Sequence, residues 1–209
     1  NLSGNFVVSY NRPIGDNSLL TVNVGGDIYK DDSKSHSFVG TGFLKPELHS
    51  PQYAATYQED SRPSGSQSLT TRAGFFAYLN FILQNKYFVD GTIRRSGSSQ
   101  FGANNRYAPF WSVGAKYRIS NEAFMENTKD WLTNLTLRMS YGTSGNQEVG
   151  DQTTKNSWYA SRNLFGFGYN YNNLPGMAHE QFGNPDLKWE KTYSFNAGID
   201  FSFLKDKIQ

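Results

Sequence analysis

The sequence predicts an all-β protein, part of an antiparallel, up-and-down transmembrane β-barrel. Three observations predict this fold. Long segments alternate between apolar and polar residues, compact and long connections alternate between those segments, and aromatic residues, which make up 16% of the 209 residues, stand near the segment ends. Successive side chains of a strand point to opposite faces, so each segment would present one apolar and one polar face.

The clearest predicted strand runs from Trp189 to Phe203. Its odd positions are apolar except Lys191, and its even positions are polar or glycine. Strands of soluble proteins are mostly about 5–6 residues long, whereas a membrane-crossing strand needs about 9–11 residues. On the apolar faces of this and the neighbouring strands we predict these lipid-facing side chains: Val113, Tyr117, Leu137, Met139, Phe195, Ile199 and Phe201.

Six further segments repeat the two-residue period, which gives seven strands. The segment 69–84 is the least regular, because its second face mixes Phe76, Tyr78 and Ile82 with polar residues. The seven predicted strands are 5–10, 20–29, 69–84, 87–94, 111–120, 135–142 and 189–203.

The connections alternate in length along the chain. The turn with Pro13 and Gly15, the turn 85–86 and the link 121–132, in which we expect one short helix, are compact. Residues 30–68 and 143–187 are long and polar, and the loop after Arg95 is of middling length. Outer-membrane barrels have short periplasmic turns and long extracellular loops, so we predict that 30–68 and 143–187 lie outside the cell.

The strand count indicates that these residues form only part of a barrel. Bacterial single-chain barrels have an even number of strands, and seven is odd. The chain starts at Asn1 without an initiator methionine or an apolar signal segment, and residues 204–209 look like another compact turn. We therefore expect an internal or truncated portion of a larger barrel.

Composition excludes several other classes of protein. The mean hydropathy is negative, and no apolar run approaches the roughly 20 residues of a membrane helix. The absence of cysteine excludes disulfides and thiolate sites, and a net charge of +2 gives no nucleic-acid footprint. His36, His49 and His179 are scattered through predicted loops without metal-ligand spacing. We expect no catalysis, no metal and no cofactor.

Six phrases of the sequence carry a family resemblance, and they occur in this order: RAGFFAYLN (72–80), RRSGSSQF (94–101), NRYAPFWS (105–112), YRISNEAF (117–124), LTLRMSYGTSGNQEVG (135–150) and GNPDLKWEKTYSFNAGIDFSFLKDKI (183–208). They resemble the barrel of SusC/RagA-like TonB-dependent transporters of the Bacteroidetes outer membrane. The resemblance covers residues 71–209, and the first seventy residues resemble that family only in general strand character. The departures at 95–97 and 109–111 are small.

The resemblance implies that residues 1–209 belong to one TonB-dependent receptor β-barrel domain of about 22 strands, with the plug, signal peptide and remaining strands absent. It implies an outer-membrane protein of a Gram-negative bacterium that imports an oligosaccharide or a peptide. Its expected partners are membrane lipids, TonB through the missing parts, and a SusD-like surface lipoprotein that forms a lid.

The long predicted loop 143–187 is rich in aromatic residues. Exposed flat rings can stack on sugars or contact a lipoprotein lid; alternatively, they pack among themselves to order the loop. The candidate contact residues are Trp158, Tyr159, Phe165, Phe167, Tyr169 and Tyr171.

Two other functions fit the alternation without the family phrases. A passive porin or purely structural surface barrel would have the same strands. A soluble β-sandwich binding module would instead pack the apolar face of 189–203 against a second sheet.

Overall fold

Seven long antiparallel strands form the main sheet of the chain. The computed structural model describes residues 1–45, 47, 50–57, 64–128, 130–147, 159–172 and 174–203. Its strands are β1 (Leu2–Pro13), β2 (Leu19–Ser37), β5 (Ser64–Leu83), β6 (Tyr87–Ser98), β7 (Tyr107–Arg118), β8 (Leu132–Asn146) and β11 (Glu190–Phe203). Their order in the sheet is β1-β2-β5-β6-β7-β8-β11.

Four shorter strands lie outside this sheet. β3 (Gly40–Thr41) pairs with β4 (Thr56–Tyr57), and β9 (Leu164–Tyr171) pairs with β10 (Leu174–Gln181). Three short 3₁₀ helices complete the assigned structure: Pro51–Tyr53, Ile119–Asn121 and Ala123–Thr128. Among the described residues, no helix is both long and apolar enough to cross a membrane.

The all-β, up-and-down prediction is confirmed, but two strands are much longer than predicted. β2 continues to Ser37 and β5 begins at Ser64, so these two residues are paired where a loop was expected. The reason is that backbone hydrogen bonds extend a ladder whatever its side chains are. Residues 31–37 are polar on both faces, and such a ladder carries no hydrophobic alternation that could reveal it.

The compact connections differ in detail from the prediction. Between β5 and β6 a tight turn has positive φ at Gln84 and Asn85, as a type I′ hairpin turn requires. One short helix does lie within the predicted link 121–132: the 3₁₀ helix Ala123–Thr128. A second 3₁₀ helix, Ile119–Asn121, precedes it, where the strand was expected to run on to residue 120. The Met125 amide donates to the Glu122 carbonyl (3.1 Å), and β8 starts at Leu132.

The strand register places the predominantly apolar face of each of the seven strands on one side of the sheet. Residues directly opposite each other in neighbouring strands share a face. One row of partners crosses five strands and contains Val8, Val24, Ala77, Ile93 and Trp111. A second row joins β6, β7, β8 and β11 through Tyr87, Tyr117, Leu137 and Ile199.

This apolar face is open. Phe195 is 68% exposed and Ile199 60% exposed. Among the described residues only four apolar side chains are buried: Phe101, Ala108, Phe110 and Leu132. No second sheet packs on the face within the described ranges, which disagrees with the β-sandwich alternative. A contiguous apolar surface of this extent marks a site of interaction with a membrane or another protein.

The main sheet is not closed in this segment. β1 pairs only with β2, and β11 only with β8. We call the end of the sheet that carries the β2–β5, β6–β7 and β8–β11 connections the long-connection end, and the opposite end the compact end.

Candidate functional site

The polar face of the main sheet carries paired charges. Arg94 on β6 donates to Asp27 on β2 (Nη2···Oδ1 2.6 Å) and, through Nε, to Ser96 (2.8 Å). Gly74 lies on the strand between them, and a Cβ there would meet both the guanidinium and the carboxylate. Arg138 on β8 forms a longer ion pair with a carboxylate of β11 (3.4 Å).

A concavity of about 610 Å³ opens on the same face. Asp90, Lys116, Arg138 and Asn196 are among the residues that line it. Its aromatic member, Phe88, lies under the Lys116 ammonium, whose Nζ is 4.4 Å from the ring centroid. Charged groups, an amide and one ring are the lining of a hydrated surface, not of a dry core.

An aromatic cluster joins two segments at the long-connection end. Phe101, in the β6–β7 connection, is only 2% exposed. Its ring packs on the indole of Trp189, with centroids 4.7 Å apart, and Phe110 meets the same indole edge-on at 5.5 Å. The indole Nε1–H donates to the carbonyl of Arg106 (2.9 Å). We call Phe101, Phe110 and Trp189 the aromatic clamp.

Backbone contacts tighten the aromatic clamp. The Gly102 amide donates to the Leu187 carbonyl (3.0 Å), and Asn105 Nδ2 donates to the Asp186 carbonyl (3.2 Å). A Cβ at Gly102 would overlap the backbone carbonyl of Pro185. Only glycine permits this close approach of two chain segments.

Trp189 therefore differs from what the alternation predicts. It was expected on the apolar face, among aromatic residues at the strand ends. It lies just before β11 and packs on Phe110, a partner of the polar-face residue Arg94. The alternation ends where the strand ends, and outside the strand the backbone no longer fixes the face. Sequence reasoning missed the clamp because its two segments lie far apart along the chain.

The hairpin formed by β9 and β10 is anchored at its base. The hydroxyl of Tyr159 accepts a hydrogen bond from the Leu69 amide on β5 (2.8 Å). Gln181 Nε2 donates to the Tyr159 carbonyl (3.1 Å), and the Gly183 amide donates to Asn163 Oδ1 (2.9 Å). The hairpin is thus fixed to the long-connection end of the main sheet.

The aromatic side chains of the hairpin point in two directions. Met177 pairs with Phe167 and Gly176 with Tyr169, so β9 advances two residues while β10 advances one. Cross-strand partners share a face and consecutive residues do not, so this bulge puts Phe167 and Tyr169 on opposite faces. Phe167 is 82% exposed and Tyr171 85% exposed.

The structure separates the predicted contact residues. Trp158 lies outside the described residues. Tyr159 is half-buried and holds the base of the hairpin. Phe165 packs edge-on against His179 (centroids 5.0 Å apart), and the other three form no aromatic cluster with it. These three exposed residues are Phe167, Tyr169 and Tyr171.

The residues predicted to face lipid all lie on the one apolar face. The register pairs Val113 with Tyr141, Met139 with Ala197, and Leu137 with Ile199. The full set of these positions is Val113, Tyr117, Leu137, Met139, Phe195, Ile199 and Phe201. Tyr117 is the least exposed of them, because its ring stacks on Tyr87 at 4.9 Å.

A carboxylate ties together the connections at the compact end. Glu122 accepts hydrogen bonds from Lys86 Nζ (2.8 Å) and from the hydroxyls of Tyr87 and Tyr117 (3.1 Å each). The hydrogen bond from Lys86 holds the pKa of Glu122 below its usual value of 4.5, against the opposing effect of burial. The hydroxyls of Tyr117 and Tyr87, and then the charge of Lys86, add smaller effects in the same direction. The β5–β6 turn and the β7–β8 link are therefore coupled.

This coupling predicts an acid-sensitive compact end. A carboxylate whose pKa is lowered by folding stabilises the fold above its unfolded pKa, and the contribution is lost as pH falls through the folded value. We expect protection of the Arg118 amide, which donates to the Lys86 carbonyl, to be constant above pH 4.5 and to fall below it. Hydrogen-exchange protection factors of the full-length protein measure this. Glu122→Gln is the control: equal pH dependence in both proteins would contradict the prediction.

Within the described ranges, no group of three or more histidine, aspartate or glutamate side chains is placed to hold a metal ion.

A single-layer antiparallel sheet with one apolar and one polar face is the wall of a β-barrel. The sequence profile of the family described as "TonB dependent receptor-like, beta-barrel" matches residues 2–209. The chain belongs to this family, which is one of transporters and receptors.

Relatives at the sequence level are TonB-dependent receptors. The chain is 30% identical to the TonB-dependent receptor SusC of Bacteroides thetaiotaomicron, over 100% of this chain and 20% of SusC. It is 36% identical to the TonB-dependent receptor P39 of Formosa agariphila, over 66% of this chain and 13% of P39. The chain thus spans a fifth or less of the length of these relatives.

Solved structures show the same architecture. The RagAB peptide transporter matches with a TM-score of 0.83 and 29% identity, over 98% of this chain and 22% of that one. The RagAB peptide importer in its closed-closed state matches with a TM-score of 0.82, over the same shares of both chains.

Proposed function

We propose that this chain forms part of the wall of a TonB-dependent outer-membrane transporter that imports a nutrient, either an oligosaccharide or a peptide. The observation that carries the proposal is the seven-stranded sheet whose register gathers every apolar strand face on one side. Such a sheet pairs its backbone groups between strands and offers lipid an apolar surface, which are the two requirements of a membrane-crossing β structure.

The similarities support active import over passive diffusion. SusC and P39 are both TonB-dependent receptors, and RagAB imports peptides. In this proposal residues 1–209 form one section of a larger barrel domain. TonB contacts other parts of the full-length protein, and a SusD-like surface lipoprotein closes the lumen. The chain itself catalyses no reaction.

The ends of the sheet define an orientation for this wall in the outer membrane of a Gram-negative bacterium. The long-connection end faces the outside of the cell and the compact end the periplasm, following the usual asymmetry of such barrels. The apolar face meets lipid at Val113, Tyr117, Leu137, Met139, Phe195, Ile199 and Phe201, and the polar face with its paired charges lines the lumen.

Uptake by cells tests the proposal. A strain that lacks the full-length gene is expected to lose growth on one class of nutrient, and reintroducing the gene restores it. Uptake should stop when the proton gradient is collapsed or TonB is deleted. Uptake that continues without TonB would identify a passive porin, and a gene product that stays in the aqueous phase would identify a soluble protein.

The β9–β10 hairpin is proposed as the part of this segment that touches the lid or the substrate. Phe167 and Tyr171 are almost fully exposed, although the base of the hairpin is fixed through Tyr159. Exposed rings on a rigid support give contact area at low entropic cost. In this arrangement Tyr159 positions the hairpin, Phe167 makes contacts from one face of it, and Tyr169 and Tyr171 make contacts from the other.

Alanine at Phe167 and Tyr171 tests the role of the hairpin. Loss of aromatic hot spots weakens binding by about 30-fold or more, so we expect at least that loss of affinity for the lipoprotein or the substrate. The matched control is Asn170→Ala, because Asn170 is an exposed polar residue of the same strand. Titration of the full-length protein with each ligand measures the effect. If the alanine substitutions at Phe167 and Tyr171 left the affinity equal to that of the Asn170→Ala control, the hairpin would not be a contact surface.

A further inference from the structure

Three basic residues interrupt the apolar face at the long-connection end. Arg95 on β6 stands opposite Phe75, Lys30 on β2 opposite Thr71, and Lys191 on β11 opposite Gly145. Each comes two residues beyond an exposed apolar side chain of the same strand: Ile93, Ile28 and Tyr193, respectively. The band of apolar side chains therefore ends in cations on three of the seven strands.

Within the part of the chain that the structure describes, these cations have no carboxylate partner. The ion pairs of Arg94 and Arg138 lie on the polar face, and that of Lys86 lies at the compact end. In the described parts of the chain, no carboxylate lies within ion-pairing distance of the three apolar-face cations. Asp32, the next residue of that face on β2, accepts instead from Gln67 Nε2 (3.1 Å).

Arg95 is also held in a fixed position. Its guanidinium lies over the ring of Tyr107, with Cζ 5.3 Å from the centroid. Tyr107 is two residues before Pro109, the partner of Arg95 on β7, and is itself exposed on the apolar face. A cation stacked on an aromatic ring keeps its N–H groups free for an anion at its edge.

We propose that Lys30, Arg95 and Lys191 bind the phosphate groups of lipid A in the outer leaflet of the membrane. This inference rests on the orientation given under the proposed function. A cation beside hydrocarbon requires a counter-charge or an escape to water. At this depth the surrounding molecules are lipid headgroups, and phosphates of the outer-leaflet glycolipid supply the negative charge that the described residues do not.

The opposite end of the same face offers a matched control. Arg12 on β1 stands opposite Leu20, on the apolar face and at the compact end. It is exposed, like the three cations of the long-connection end. In the proposed orientation it meets the inner leaflet, so it should not affect lipid A.

Retention of lipid A by the purified full-length protein tests the inference. Native mass spectrometry counts lipid A molecules per protein after washing in detergent. A basic residue near an anionic membrane surface contributes roughly fivefold to binding, so the triple variant K30Q/R95Q/K191Q is expected to weaken retention by about a hundredfold. The variant K30R/R95K/K191R keeps the charges and should keep most of the lipid, and R12Q should match the unaltered protein.

Several outcomes would overturn the inference. Equal retention by the triple variant, equal loss in R12Q, or equal binding of dephosphorylated lipid A by the unaltered protein would each show that these cations do not select phosphate. If the triple variant fails to insert, R95Q alone serves, with an expected loss of about fivefold. Free inorganic phosphate should not displace the lipid, and displacement would identify a soluble anion site instead. Nutrient uptake should survive in all of these variants. If the unaltered protein itself showed no nutrient uptake, that result would contradict only the proposed function.

Discussion

Replacing Trp189 by alanine will loosen the long-connection end of the sheet by about 3 kcal/mol, the lower end of the range for aromatic-to-alanine changes, because the indole is only half-buried. The variant removes the surface on which Phe101 and Phe110 pack and leaves the Arg106 carbonyl without its indole donor. The Gly102 amide, which donates to the Leu187 carbonyl, reports the opening of the clamp through its hydrogen exchange in the full-length protein.

Two further variants separate the contributions to the clamp. Trp189→Phe keeps a ring on Phe101 but loses the Nε1–H bond, so it should cost about 1 kcal/mol. Gly102→Ala leaves all three rings in place and should still open the clamp, since its Cβ would overlap the Pro185 carbonyl. Hydrogen exchange at the Gly102 amide that stays unchanged in Trp189→Ala would show that the aromatic clamp does not hold these two segments together.

The strands of the main sheet were predictable because their signal is local. Alternation within a segment, as in β11, shows that the strand has one apolar and one polar face, and this can be read without knowledge of the rest of the chain. The same reasoning explains its failures. At the long-connection end, β2 and β5 pair polar residues, for instance Lys34 with Gln67. Because both faces of this part of the sheet are polar, its sequence shows no hydrophobic period.

The hairpin β9–β10 is a case where a local signal existed. Phe165, Phe167, Tyr169 and Tyr171 alternate with other residues inside the predicted loop, and Asn172, which has a positive φ of 49°, starts a turn. The bulge opposite Met177 could not be predicted from the alternation, which stays regular through it. The bulge therefore puts Phe165 and Phe167 on one face of the hairpin and Tyr169 and Tyr171 on the other, which their spacing in the sequence does not reveal.

The aromatic clamp had no local signal. Phe101 and Trp189 stand in separate connections, and neither shows a periodic pattern that points to the other. Their contact arises because β6, β7, β8 and β11 are neighbours in the sheet, which brings the ends of these strands together. Strand order thus carries information about sites that no single segment contains.

Replacing Phe195 by arginine will destabilise the protein in a bilayer by about 2–4 kcal/mol, the cost of a basic residue near the midplane of a barrel's lipid face. Phe195 lies in the middle of β11 opposite Tyr141 and is 68% exposed on the apolar face. An arginine there can neither reach a carboxylate partner on that face nor extend to water without distortion of the lipid. Reversible urea unfolding of the full-length protein in phosphatidylcholine vesicles measures the difference.

The neighbouring residues provide both controls for Phe195→Arg. Asn196→Arg puts the same charge on the polar face one residue away, where it should cost far less because the lumen is hydrated. Lys191 shows that this face already accepts a cation four residues nearer the long-connection end, and the cost of a charge falls to about 0–1 kcal/mol near the membrane interface. The three positions together therefore predict dependence on both face and depth. Equal effects of Phe195→Arg and Asn196→Arg would mean that both faces look into water, and this would remove the basis for treating the sheet as a membrane wall.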